Sequence, residues 1–165
     1  MLENYEHNLK LYNESMRKDL DITLTSIIPT QKNLMKTILW INFSIVGLSI
    51  TAMSHKIGVI YIAMPFMFSF CAIITILFSL KDGRIKTLGT PSIKSIEKLI
   101  NTKYEKIDGF ITMNESFEKA LNQSVELISK RAEKIAFSTN VTILSICSVF
   151  LISIIYVNVY FMKGG

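Results

Sequence analysis

An all-α integral membrane protein with three transmembrane helices, two close together and one apart, is the fold class this sequence predicts. Three observations predict it. Half of the 165 residues are hydrophobic and the mean hydropathy is +0.38, more than a soluble core calls for. The excess is gathered into three charge-free runs, which is how a bilayer shapes a chain. Lysine and arginine crowd one set of run ends and nearly avoid the other, as the positive-inside rule requires.

The first run extends from Ile38 to Ser54. Pro29 cannot continue a preceding helix and Thr30 can cap the next one, so the first transmembrane helix is expected over residues 31–54. Lys32 and Lys36 then fall at headgroup level and Trp40 in the interfacial belt. Only His55 and Lys56 separate this run from the next, which predicts a tight hairpin with a second span at 57–80. Pro65 lies inside that span and is a candidate kink. The third span is expected over residues 136–162, long enough to cross with tilt, with Tyr156 and Tyr160 near its end. Cys71 and Cys147 lie in these apolar runs and read as small buried hydrophobes.

Near the span ends, Lys32, Lys36, Lys81, Arg84, Lys86, Lys94, Lys130, Arg131 and Lys134 share one side, against Lys56 and Lys163 on the other. The first set is therefore expected in the cytoplasm, with the N-terminus inside and the C-terminus outside. This bias also accounts for the net charge of +5. Acids interleave the basic residues, so no dense patch points to nucleic acid.

Residues 1–30 and 81–135 make the expected cytoplasmic part. In the first, Leu2, Tyr5, Leu9, Tyr12, Met16, Leu20, Leu24 and Ile27 recur at helical spacing, predicting an amphipathic helix that Pro29 ends. Its polar face is as acidic as it is basic, which favours a partner helix over anionic lipid. In the second, a turn at 81–84 precedes a helix start at Thr90-Pro91-Ser92, followed by an apolar face through Ile93, Ile96, Leu99, Ile100, Tyr104 and Ile107. Asp108-Gly109 reads as a break. Beyond it Phe110, Met113, Phe117, Leu121, Val125, Ile128, Ala132 and Ile135 form a stripe. No breaker separates that stripe from the third span. One helix is expected from about Thr112 to about Phe161, roughly 75 Å long, continuous from cytoplasm into membrane. None of these helices can bury its stripe alone, so a cytoplasmic helical bundle, within one chain or in a homo-oligomer, is expected.

Catalytic patterns are missing. The sequence holds no HExxH, GxSxG, Walker A or CxxC motif, and His7 and His55 fall on opposite sides of the expected membrane. An enzyme is not expected, and no cofactor or metal is called for. No Asp, Glu, Lys or Arg lies within a span, which counts against ion-coupled transport. Small polar residues are what the spans do carry. Ser138, Thr142, Ser145 and Ser153 fall within about 80° on a helical wheel, with Ser148 at the margin. Asn42 and Ser49 share a face of the first span, and Ala72, Thr75 and Ser79 a face of the second. These side chains either pack helices together or line an oligomeric pore. Asn42, the costliest of them to leave in lipid, is expected to find a partner.

The plan of two adjacent spans, a cytoplasmic helical segment and a final span resembles the Pycsar membrane-effector family of bacterial anti-phage defence. The likeness is carried by residues 31–36 (QKNLMK) with 41–44 (INFS), and by residues 121–130 (LNQSVELISK) running on to Ala136. The resemblance implies a multi-pass protein of the bacterial inner membrane whose ligand is a cyclic nucleotide. That signal would reorganise the cytoplasmic helices, and the membrane helices would oligomerise or open and collapse the barrier. Lys94, Lys98, Lys103, Lys130, Arg131 and Lys134 are then candidates for an anionic ligand, and otherwise solvated charges. Two other classes fit the pattern: a structural or partner-binding membrane protein, such as an immunity protein or anchor, and a holin-like lesion former.

Overall fold

A computed structural model describes residues 2–54, 59–81, 97 and 106–162, and every described residue is helical. The helices are α1 (Leu2–Ile22), a π-helical turn (Thr23–Ile27), α2 (Ile28–Ser54), α3 (Val59–Lys81) and α4 (Lys106–Met162). Three helices are long and apolar enough to cross a membrane. Of the turn expected at 81–84, Lys81 is the last residue of α3, and of the expected apolar face from Ile93 to Ile107, Ile107 lies in α4. The rest of both, the turn at His55-Lys56, the helix start at Thr90-Pro91-Ser92, and Lys94, Lys98 and Lys103 lie outside the described residues.

Two expected breaks are not breaks. Pro29 was to end the first helix, yet helix runs without interruption from Leu2 to Ser54. The reason is the π turn just before it, where the Ile28 N–H reaches back to the Thr23 carbonyl. In an α-helix the Pro29 ring would collide with the Thr25 carbonyl and leave it unpaired; a widened turn moves that carbonyl aside. Thr30 is accordingly not a cap, and its hydroxyl donates to the Ser26 carbonyl at 2.7 Å. Asp108-Gly109 likewise sits inside α4. Asp108 occupies the first turn, where a carboxylate favours the helix dipole, and one glycine costs only about 1 kcal/mol.

Burial along the helices follows a seam of alternating three- and four-residue steps, the spacing of left-handed helix packing. On α4 it passes through Asn114, Phe117, Ser124, Arg131, Ile135, Ser138, Thr142 and Ser145, with Leu121 and Ile128 half-buried between them. On α3 it passes through Ile62, Pro65, Ser69, Ala72, Ile76 and Ser79. On α1 it passes through Asn13, Met16 and Leu20, in the π turn through Thr23, and on α2 through Ile28, Met35, Ile38, Asn42, Ile45 and Ser49. The step from Thr23 to Ile28 is five residues where the pattern calls for four, and the π turn lies there. One extra residue is what a π turn takes up relative to an α turn.

The chain forms two compact units, Met1–Thr30 with Arg84–Lys130, and Gln31–Gly83 with Arg131–Gly165. In the first, Met16 and Leu20 pack on Phe117, with Leu24, Met113 and Ala120 beside them, and Asn13 bonds Asn114. Sequence numbers rise together, so α1 runs parallel to the start of α4. Tyr5 and Tyr12, expected on the packed stripe, are exposed, as are Val125 and Ala132 on α4. The pattern at 3.6 residues per turn drifts off a 3.5-residue seam, and the seam decides.

In the second unit, Met35 and Ile38 of α2, Ile76 of α3 and Ile135 of α4 form the core. The pairings put α2 parallel and α3 antiparallel to α4. The outward face is apolar, with Trp40, Leu48, Phe78, Phe150 and Phe161 exposed. Cys71 and Cys147, expected to be buried, are exposed as well, because the seam is filled by small polar residues. Gly47 also faces outward, and an added Cβ there meets nothing within 4 Å. Gly47→Ala is expected to raise stability by about 0.5–1 kcal/mol, read by thermal unfolding in detergent. A fall in stability would mean that another helix comes close at this position.

Candidate functional site

The polar residues of the second unit form two hydrogen-bonded layers. In one, the Asn42 amide, fully buried, donates to the Ile38 carbonyl and to the Thr142 hydroxyl, both at 2.8 Å. Thr142 in turn donates to the Ser138 carbonyl at 2.7 Å. Asn42 thus has the partner its sequence position demands, and the bond ties α2 to α4. In the other layer, Ser145 donates to the Pro65 carbonyl at 2.9 Å and lies 2.8 Å from the Ser69 hydroxyl. Ser145 has one proton, so Ser69 is the donor between the two hydroxyls. Helices that approach this closely need small residues at the contact, and Ser69, Ser138 and Ser145 are completely covered.

Several buried polar atoms have no partner: Nε and Nη1 of Arg131, Oγ of Ser138, Oγ of Ser79 and Oδ1 of Asn42. Arg131 is the most costly of these. Its side chain is 2 % exposed, on the same seam as Ser124, Ser138 and Ser145, each seven residues from the next. A buried charge without an ion pair is expensive in any medium.

The remaining candidates are placed differently. Ser49 is buried but turned into its own helix, donating to the Ile45 carbonyl at 2.8 Å. Ser148 and Ser153 lie off the buried seam and donate to the carbonyls of Leu144 and Val149. Lys130 is exposed and donates to Glu126 at 2.6 Å; that bond and the ammonium charge hold the Glu126 carboxyl below its usual range. Lys134 is half-buried. Arg131, expected with the solvated lysines, is thus the one basic candidate inside the protein among the described residues. Ser79, on the face read from the sequence with Ala72 and Thr75, is buried; Ser69 and Ser124 were not singled out, and the seven-residue spacing of Ser124, Arg131, Ser138 and Ser145 is the signal that finds Ser124.

Beyond Ser145 lies an apolar cleft of about 450 Å³ between Ile45, Leu48, Ile62, Val149, Ile152 and Val157. In the first unit, Asn13 donates to Asn114 at 2.9 Å while the Asn114 amide nitrogen is left buried and unpartnered. A cleft of about 590 Å³ opens beside them, lined by Leu20, Leu24, Met113 and Phe117 and by the charged Arg17, Lys18 and Asp21. Chemically, the polar seam offers neutral amides, hydroxyls and one guanidinium. Such a set can bind water or an anion. No protein-family model matches this chain, and no curated protein or solved structure matches it.

Proposed function

We propose that this chain is a membrane effector that senses a cytoplasmic signal and then oligomerises or opens to disrupt the bacterial inner membrane in anti-phage defence. A cyclic nucleotide is the candidate signal. The N-terminus and both flanks of the hairpin lie in the cytoplasm on this reading. The observation that carries it is the single helix Lys106–Met162, whose buried seam continues from Asn114 to Ser145 and belongs to both compact units. A ligand that repacks the first unit acts on the same helix that contributes to the second. An anchor has no need of such a shared helix, and it has no need of buried polar atoms without partners.

Full-length protein in liposomes loaded with a self-quenched dye tests the proposal. Leakage is expected on adding one member of a panel of cyclic mononucleotides, together with a rise in oligomer mass in detergent. An oligomer that leaks dye under no member of the panel counts against it.

A further inference from the structure

We infer that the path this protein opens passes small anions in preference to cations, with Arg131 setting the sign. The inference rests on the proposed membrane-opening function and adds the class of solute.

The only charge on the buried seam of the described second unit is the Arg131 guanidinium, 2 % exposed, and two of its nitrogens have no partner. Hydroxyls follow it along the seam. The Ser138 hydroxyl, completely covered, has no partner, and neither has that of Ser79 on α3. Next come Thr142 with Asn42, and Ser145 with Ser69. The hydroxyls and the Asn42 amide carry acceptors as well as N–H or O–H donors, so the fixed charge of Arg131 sets the sign. No carboxylate, the usual cation ligand, occurs in residues 31–81 or 134–162, with Asp82 and Glu133 lying just outside them. On the side expected in the cytoplasm, the charged residues that flank the spans within those segments are Lys32, Lys36, Lys81 and Lys134. When the three helices part along this seam, its side chains become the walls. A path entered past lysines and carrying the Arg131 guanidinium on its wall attracts anions and repels cations, as rings of Arg or Lys do in anion pores. The unpartnered nitrogens of Arg131 then gain the hydration or anion that the closed packing denies them, so opening is favoured at this residue.

The test is efflux of chloride and of potassium, followed with ion-selective electrodes, from phosphatidylcholine–phosphatidylglycerol vesicles holding the full-length protein, with each member of the panel of cyclic mononucleotides added in turn. Chloride is expected to leave faster than potassium. Arg131→Gln is expected to cut the chloride-to-potassium ratio on the order of tenfold, the effect of one charge at close range in a partly screened site. Arg131→Lys is expected to keep the ratio. A second arm does not depend on changing Arg131. In a background with Cys71→Ser and Cys147→Ser, Ser138→Cys is expected to react faster with an anionic methanethiosulfonate than with a cationic one. Potassium efflux equal to or faster than chloride, an unchanged ratio in Arg131→Gln, or faster cationic labelling overturns the inference and leaves the opening function standing. Absence of any efflux, with no labelling of Ser138→Cys, overturns both.

Discussion

Replacing Arg131 with methionine is expected to raise the stability of the folded chain by about 1–3 kcal/mol, the scale on which a poorly compensated buried charge destabilises a fold. Methionine is unbranched and fills nearly the same length, so the seam between Phe117 and Ser145 keeps its packing. What disappears is a guanidinium that is 2 % exposed with Nε and Nη1 unpartnered. Unfolding in detergent, by heat or by added SDS, measures the change. A loss of stability instead would show that the guanidinium is well solvated where it sits. The same substitution is expected to reduce activity, since it removes the group that makes the closed packing uneasy. A gain in stability coupled to a loss of opening is the signature of a residue retained for function.

The π turn leads to the second large effect. Deleting Thr25 with Pro29→Ala removes the extra residue and the proline that the wide turn accommodates. The step from Thr23 to the residue now at Ile28 becomes four, the seam continues unbroken, and stability is expected to stay within about 1 kcal/mol of the parent. Deleting Thr25 alone leaves the proline inside an ordinary α-helix, at a cost of about 3 kcal/mol. Deleting the exposed Ser44 instead turns Met35, Ile38 and Asn42 by about 100° relative to Ile45 and Ser49. Met35 and Ile38 are core residues of the second unit, and withdrawing them is expected to cost more than about 4 kcal/mol. Helix content and unfolding midpoints of the three purified variants rank them. Equal tolerance of all three would mean that the five-residue step does not set the register. The hydrogen-bonded pairs already carry the same information. Asn13 and Asn114 are 101 residues apart, whereas Asn42 and Thr142 are 100 apart, and the single-residue difference is what the π turn takes up.

Burial explains which sequence inferences failed. Tyr5, Tyr12, Val125 and Ala132 were placed on packed stripes by apolar character and helical period alone. They are exposed because the seam steps at 3.5 residues and selects Asn13, Ser124 and Arg131 in their neighbourhood. Polar residues at seam positions are invisible to a hydrophobic pattern, since the pattern scores them as surface. The cysteines failed in the opposite sense. An apolar residue in an apolar run reads as core, but a helix that can face lipid puts apolar residues outward and small polar ones inward.

The sequence by itself determined that the protein is helical and that three of its segments are apolar enough to cross a membrane. Both follow from local quantities, run length and the absence of charge. It also determined that Asn42 needs a partner, because an amide in such a run cannot be left alone. Only the tertiary structure decided that Thr142 is that partner, that Arg131 is buried while Lys130 is not, and that Pro29 and Gly109 lie within helices. Each of these depends on which face of one helix meets another. A shift of a single residue rotates that face by about 100°, and the shift at the π turn leaves no mark in composition or hydropathy.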